Sequence, residues 1–393
     1  MTEIIYLSAG TAEVEQKHDR KWVEEFNRTH PDIRVRYELV SWADLFPRVM
    51  AYIAAGTPPD VAWYAPRQLN DWYRMGILEP LDAWLGATKD EYLPALTEPG
   101  SDVVYGGKMY GAPFTLVGLG LVARRDLLAP LGVDVDGIRT WEDFASAAAK
   151  VTNKPRVYGT LFSLGEPRLT AHHAESFWPS NGLVNLTDFD KKEAYVEVLR
   201  FLDGLFDYMP PAQVSWVHRD NIAAFVSGTI ALFETGSYFH GDLMPIAPDL
   251  LTAKNAAVLP VPFGPRLQAP VTPVYTVGYV MFKDSRNKEA AAEFIRFMTQ
   301  RRVVNEWPMN MAPKTGLGVE DRVRALGPQV RWWQERWLDL MNTTRLVGVQ
   351  PYSPAEEIDR IFTRQMLALF RRQLTPERAY ESLRNEIGAV IAK

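Results

Sequence analysis

Ile4-Ile5-Tyr6-Leu7, the break Ser8-Ala9-Gly10-Thr11, a run carrying Trp22, Val23 and Phe26 at helical spacing up to Pro31, and Ile33-Arg34-Val35-Arg36-Tyr37 form the stretch on which the fold turns. The first four residues are apolar and read as a buried strand, and the break marks a loop. Residues 22, 23 and 26 share one helical face, and the last five alternate as a half-buried strand should. Strand, helix, strand is a βαβ unit, so a parallel sheet is predicted.

The same grammar continues outward. Trp42–Ala55 places Leu45, Val49 and Ile53 on one face and stops at Gly56-Thr57-Pro58-Pro59, after which Val61-Ala62-Trp63-Tyr64 reads as a buried strand. A helix near Gln68–Met75 ends at Gly76, and Gly106-Gly107-Lys108 forms a turn. Thr140–Val151 opens with Thr140 as N-cap and Asp143 three residues on, and buries Trp141, Phe144 and Ala148. Lys191–Phe206 is amphipathic through Tyr195, Leu199, Leu202 and Phe206. Thr229–Phe233, Val258–Val261 and Val274–Phe282 read as strands, Glu289–Met298 as a helix, and Glu320–Lys393 as helices only.

Composition narrows the function. A chain of 393 residues exceeds what one core usually supports, and 47% hydrophobic with 23% charged residues is ordinary for globular proteins. Net charge is −5 with no long basic run, which argues against a nucleic-acid partner. No apolar run reaches the roughly 20 residues that span a bilayer. With no cysteine, disulfides, thiolate metal sites and a cysteine nucleophile are excluded. The chain enters its first strand without a charged n-region and apolar h-region, so either the protein is cytoplasmic or a signal has been removed.

A set of short motifs then follows in order: Phe26 to Pro31, Ala54-Ala55-Gly56, Pro59-Asp60-Val61, Gly76-Ile77-Leu78 with Pro80-Leu81, Gly107-Lys108-Met109-Tyr110-Gly111-Ala112-Pro113, Thr140-Trp141-Glu142-Asp143-Phe144, Phe225-Val226-Ser227-Gly228-Thr229-Ile230-Ala231-Leu232, Pro260-Val261-Pro262, Asn287-Lys288-Glu289-Ala290-Ala291 and Leu374-Thr375-Pro376-Glu377. Their order resembles that of the bacterial extracellular solute-binding proteins that carry sugars to ATP-binding-cassette (ABC) importers, the maltose-binding-protein-like class, over nearly the whole chain. The resemblance implies an α/β, two-lobed periplasmic-binding-protein fold of type II, with an interlobe ligand cleft and hinge crossovers. Residues 1–113 plus 274–320 would form an N-terminal lobe, and 114–273 plus 321–393 a C-terminal lobe with a helical end. It further implies a monomer at the periplasm or cell surface, with a carbohydrate ligand and ABC permease subunits as partners and no cofactor. Membrane association would come only through transporter docking or a removed lipid anchor.

Two stretches depart from the family pattern. Where many members have a double glycine that lets ligand approach the backbone, this chain has Tyr275-Thr276 before Val277-Gly278, and a Tyr275 ring is expected to take over those contacts. Arg124-Arg125-Asp126 replaces a common Asn-Lys-Asp turn that supports structure.

A sugar offers apolar ring faces and a rim of hydroxyls, so its site needs aromatic platforms with directional polar groups. The chain has 12 Trp, 16 Tyr and 18 Phe. Those expected at strand ends are Trp42, Tyr64, Phe114, Trp178, Trp216, Tyr238 and Tyr275, whereas Trp63 and Trp141 are assigned to core. Polar candidates are Glu13, Gln68, Glu234 and Arg345, with Gly236 and Gly278 allowing close approach; Glu234 ranks first because it follows a strand and adjoins Gly236.

The rival readings are a binding protein for a glycerol phosphate ester or other polar metabolite, which would draw on Arg67, Arg168, Arg219 and Arg345, and a glycan-active enzyme with paired carboxylates. No carboxylate pair stands out, so catalytic residues are expected to be none. His172-His173 is the only histidine cluster, and adjacent side chains point apart, so no metal site is expected. Gly56-Thr57-Pro58-Pro59 lacks the lysine of a P-loop.

Overall fold

The computed structural model describes every residue except Thr11, Gly100, Pro308, Asn310 and Lys393. The strands are β1 Thr2–Ser8, β2 Ile33–Leu39, β3 Val61–Tyr64, β4 Val104–Tyr105, β5 Lys108–Met109, β6 Ala112–Arg124, β7 Leu232–Gly236, β8 Ala256–Leu259, β9 Val271–Met281 and β10 Arg345–Gly348. The chain divides into two compact units, Met1–Val117 with Tyr275–Gln334, and Gly118–Val274 with Glu335–Lys393. The sequence reading set the breaks at 113/114, 273/274 and 320/321. The last lies later because the first unit retains the helix Val319–Leu326, where the buried Arg322 guanidinium donates to the Val304 carbonyl at 2.7 Å.

In the first unit β1 runs parallel to β2 in register from Thr2 opposite Ile33 to Ser8 opposite Leu39, and parallel to β3. The βαβ reading thus describes the local structure. The helix Glu13–Thr29 turns Trp22, Val23 and Phe26 inward. Its buried Asp19 accepts hydrogen bonds from the Tyr6 hydroxyl at 3.0 Å and Ser8 Oγ at 2.5 Å, locking helix to strand. Asp60 of the Pro-Asp-Val motif accepts the Ile5 amide at 2.8 Å and Ser285 Oγ at 2.6 Å, so this carboxylate joins β1 to the turn beyond β9. Antiparallel β9 pairs with β3 from Tyr64 opposite Gly278 to Val61 opposite Met281. In a core of Tyr6, Trp63, Phe114, Tyr279 and Trp307, Trp63 and Phe114 each meet Tyr279 and Trp307 edge to face, an arrangement the ring quadrupole favours.

In the second unit the end of β6 pairs antiparallel with β7 on one side and β8 on the other. The capping box of the Trp141–Val151 helix forms as the sequence indicates: Asp143 N–H donates to Thr140 Oγ1 at 3.1 Å, and Asp143 Oδ2 accepts the Thr140 amide at 2.8 Å. A cap of this kind contributes about 1 kcal/mol. Trp141 stacks on Phe201 with centroids 4.3 Å apart, in a core that runs through Phe177, Leu199, Leu202, Phe362 and Tyr380. The Arg124-Arg125-Asp126 turn is structural: Arg124 grips Asp126 through two hydrogen bonds of 2.8 and 2.7 Å and donates to the Phe225 carbonyl at 2.5 Å.

Two expectations need correction here. The strand expected at Thr229–Phe233 is β7, Leu232–Gly236, because Ile230 makes only a single bridge, to Tyr158, before the ladder with Leu119–Ala123 begins. The final stretch is not purely helical: β10 pairs parallel with Val271–Val274 of β9.

Candidate functional site

β7 ends at Gly236 and delivers Tyr238 into a group of polar side chains on the second unit. The helix Pro167–Phe177 supplies the opposite wall, and its residues are spaced three apart on one face: His172 with Glu175, His173 with Ser176. His172 Nδ1 donates to Glu175 Oε2 at 2.8 Å, and its Nε2 lies 3.1 Å from the Tyr238 hydroxyl. His218, at the start of the helix His218–Val226, places Nε2 3.1 Å from Asp242 Oδ2, and its ring centroid lies 6.1 Å from that of Tyr238. Burial pushes the Tyr238 phenol above its ordinary range, and the Glu234 and Asp242 charges push the same way.

Glu234 lies inside β7 and is 2% exposed, so it is neither a surface carboxylate nor a helix cap. One of its oxygens accepts from His173 Nδ1 and the other from Ser176 Oγ. These bonds offset the cost of burying the carboxylate and fix β7 to the helix. A β-carbon at Gly236 would stand 2.3 Å from the Tyr238 ring. Glycine is therefore what lets the ring fold back over the strand end. Trp216 is half-buried in the loop before His218 and backs onto Gly165, where a β-carbon would meet the Trp216 carbonyl oxygen at 2.4 Å.

The other candidates are placed differently. Trp178 is fully buried, with its ring 5.2 Å from Tyr195 and 5.3 Å from Phe362, so it offers no face to a ligand. Phe114 is equally buried, 5.1 Å from Trp307 and 5.5 Å from Tyr279. Tyr64 is buried too, and its hydroxyl bonds Thr276 Oγ1 at 2.8 Å. All three correct the sequence expectation: Trp178 follows a helix, Phe114 lies inside β6, Tyr64 ends β3, and each ring is taken up by packing within its own unit. Trp63 and Trp141 lie in the core. Trp42 is half-buried with its ring centroid 5.9 Å from that of Trp63, and Gln68 is half-buried on the helix Pro66–Arg74. Glu13 points to solvent and pairs with Lys17 at 2.6 Å. Arg345 is exposed on β10, where it contributes with Arg139, Gln268 and Thr344 to a pocket of about 620 Å³ within the second unit.

At the Tyr275-Thr276 departure, Tyr275 is half-buried. The Thr276 amide donates to Asp102 Oδ2 at 2.5 Å and its Oγ1 to the same atom at 3.0 Å. That amide is therefore engaged within the protein. At Gly278 a β-carbon would stand 2.0 Å from the Ala112 carbonyl oxygen, which requires glycine for strand packing.

Sequence reasoning missed Glu175, Ser176, His218 and Asp242. It weighed His172 and His173 only as a metal pair, whereas the i,i+3 spacing from His172 to Glu175 was the signal that this imidazole has its own partner; His173 bonds Glu234 on β7. Among the described residues, no group of His, Cys, Asp and Glu could hold a metal ion.

Residues 12–304, most of the chain, match the family described as bacterial extracellular solute-binding protein. The chain belongs to that family. A relative from Brucella abortus (strain 2308), named as a candidate binding protein, is 23% identical to this solute-binding protein over 384 residues, 94% of this chain and 88% of its own length. The fold is maltose-binding-protein-like. The GacH receptor of Streptomyces glaucescens, solved unliganded and with acarbose, superposes with a TM-score of 0.81 at 20% identity, covering 100% of this chain and 99% of GacH. A solute-binding protein of Thermotoga lettingae bound with α-D-tagatose gives 0.82 at 20% identity, covering both chains fully. Maltose-bound MalE3 of T. maritima gives 0.79 at 20% identity, covering 99% of this chain and 100% of MalE3. No helix among the described residues of this solute-binding protein is long and apolar enough to cross a membrane.

Proposed function

We propose that this solute-binding protein captures a neutral, hydroxyl-rich carbohydrate outside the cytoplasmic membrane, hands it to the permease of an ABC importer, and catalyses no reaction. The observation that carries this reading is the setting of Tyr238. A half-buried ring stands beside hydrogen-bonding groups whose own geometry is fixed, which is the combination a sugar's apolar face and hydroxyl rim require. Trp216, Gly236 and Glu234 accompany it, Glu234 as a buried support rather than a direct contact. Trp42, Gln68, Tyr275 and Arg345 stay as candidates on their own surfaces. Relatives of the same fold bind acarbose, tagatose and maltose, which supports the ligand class.

Charge balance separates a neutral sugar from a phosphate ester. Each imidazole here is paired with a carboxylate, His172 with Glu175, His173 with Glu234 and His218 with Asp242, and Arg168 lies 3.5 Å from Glu166. With three of the four cationic or titratable bases being imidazoles, these four carboxylates leave no positive excess at neutral pH to attract a phosphate. The same pairing leaves no carboxylate of the group poised as an acid and base couple for glycan cleavage.

The test is a thermal-shift screen followed by titration calorimetry against neutral mono- and disaccharides, with sn-glycerol 3-phosphate and a chromogenic glycoside in parallel. A neutral sugar at 100 times its Kd should add about 2.7 kcal/mol to the folded state. Stabilisation by the phosphate ester alone, or turnover of the glycoside, would overturn the reading.

A further inference from the structure

The contacts of His172 fix more than the place of Tyr238. Its Nδ1 faces the Glu175 carboxylate, which at neutral pH can only accept, so Nδ1 carries the proton. In the neutral imidazole Nε2 is then an acceptor, and the Tyr238 hydroxyl 3.1 Å away must donate to it. A phenol whose only proton is committed offers its lone pairs to anything else that approaches. We propose that His172, held by Glu175, is a positioning residue that commits the Tyr238 proton inward and makes the Tyr238 oxygen an acceptor toward a ligand hydroxyl.

Protonation of His172 would reverse this bond. Nε2 would then donate to the tyrosine oxygen, and the tyrosine proton would turn outward as a donor. The charged groups around the pair are Asp242 and His218 on the two neighbouring helices, Glu234 with His173 across β7, and Arg168 one turn back on the same helix. They also pair as carboxylate with base, so the relay is the couple that ends on the phenol. The role of the relay in ligand recognition rests on the carbohydrate reading; the hydrogen-bond polarity does not.

The test therefore uses the intact, ligand-free protein. Imidazole ¹⁵N NMR, with the His172 signals assigned by their loss in His172→Gln, should show a protonated Nδ1 and a pyridine-type Nε2 at pH 8. In protein carrying 3-fluorotyrosine, the ¹⁹F resonance absent from Tyr238→Phe should move in a one-proton step as acid is added. That step should vanish in His172→Gln, and Glu175→Gln should raise the Nε2-protonated population. A protonated Nε2 at pH 8, or a pH step that survives His172→Gln, would overturn the proposal. Absence of sugar binding alongside the expected NMR result would instead remove the carbohydrate reading and leave the positioning role in place.

Discussion

Each unit withdraws a carboxylate from solvent, Glu234 within β7 fully and Asp102 just before β4 in part, and the two are satisfied in opposite ways. In the second unit Glu234 meets an imidazole and a hydroxyl, His173 and Ser176, one on each oxygen. In the first, the Asp102 carboxylate accepts from the amide and hydroxyl of Thr276, both on one oxygen, and Tyr64 completes the chain by bonding Thr276. Among the described residues, a base that can share charge accompanies Glu234 and none bonds the Asp102 carboxylate. The consequence for Asp102 is direct: burial raises its carboxyl to about 6, even though the two Thr276 hydrogen bonds pull the other way. The two acids thus differ in what they contribute, Glu234 as a clamp and Asp102 as a titratable group.

The largest effect should come from breaking the clamp. Glu234→Ala leaves His173 and Ser176 buried without their acceptor, and removing one partner of a buried pair costs about 3–5 kcal/mol. The urea midpoint at pH 7 should fall accordingly, while Glu234→Gln, which keeps an acceptor for one of the two donors, should lose less than half as much. Equal losses from both variants would mean that Glu234 is held by shape and not by its hydrogen bonds, and the contrast with Asp102 would disappear.

A smaller effect, and one that depends on pH, is expected at Asp102. Its folded-state value of about 6 lies above the ordinary carboxylate value of 3.8, so the folded chain holds this proton more tightly than the unfolded chain. The sign follows: the contribution is fully present below about pH 3.8 and is lost as pH rises through about 6. Asp102→Asn keeps an oxygen for Thr276 and cannot ionise, so it should remove this slope. Unfolding free energies of wild type and variant, measured at pH 4.5 and pH 7.5, should converge in acid and separate in base, with the variant relatively more stable at pH 7.5 by about 1–2 kcal/mol. Parallel pH profiles for the two proteins would show that Asp102 is solvated.

The same contrast explains what the sequence could and could not reveal. The βαβ start was legible because its signals are local: apolar runs, a helical face at Trp22, Val23 and Phe26, and alternation at Ile33–Tyr37. The Thr140 capping box was legible for the same reason, since cap and partner lie three residues apart. β10 was not, because Arg345-Leu346-Val347-Gly348 is a strand only through pairing with Val271–Val274, far away in sequence. β7 was placed three residues early, since Thr229-Ile230-Ala231 is as apolar as the true strand and only the partner ladder decides. Among candidate residues, Tyr238, Trp178 and Phe114 were chosen alike as rings at expected strand-end loops, and Trp178 and Phe114 could not be told from platforms, because a ring's burial is settled by Tyr195, Phe362, Trp307 and Tyr279 from other segments. The partner of His172 was within reach, three residues along the same helix, whereas that of His173 is Glu234 on β7, far away in sequence.

The smallest effect is expected where sequence reasoning placed a binding carboxylate and the structure places a solvent-facing one. Glu13 opens the Glu13–Thr29 helix, where a negative charge suits the helix dipole, and its pKa is lowered first by the hydrogen bond from Lys17 and then by that residue's charge. Both side chains are largely exposed, 67% for Glu13 and 72% for Lys17, so water and salt screen the pair. Glu13→Gln should therefore leave the melting temperature in 0.15 M salt unchanged within error, and should leave the affinity for any sugar found in the screen unchanged as well. Glu234→Ala should lower stability and Glu13→Gln should not, although the sequence reading placed both carboxylates after a strand, because only one has its charge removed from water. A tenfold loss of sugar affinity in Glu13→Gln, with stability intact, would show that the first unit carries a recognition carboxylate after all and that exposure in the ligand-free chain is the wrong criterion for choosing site residues.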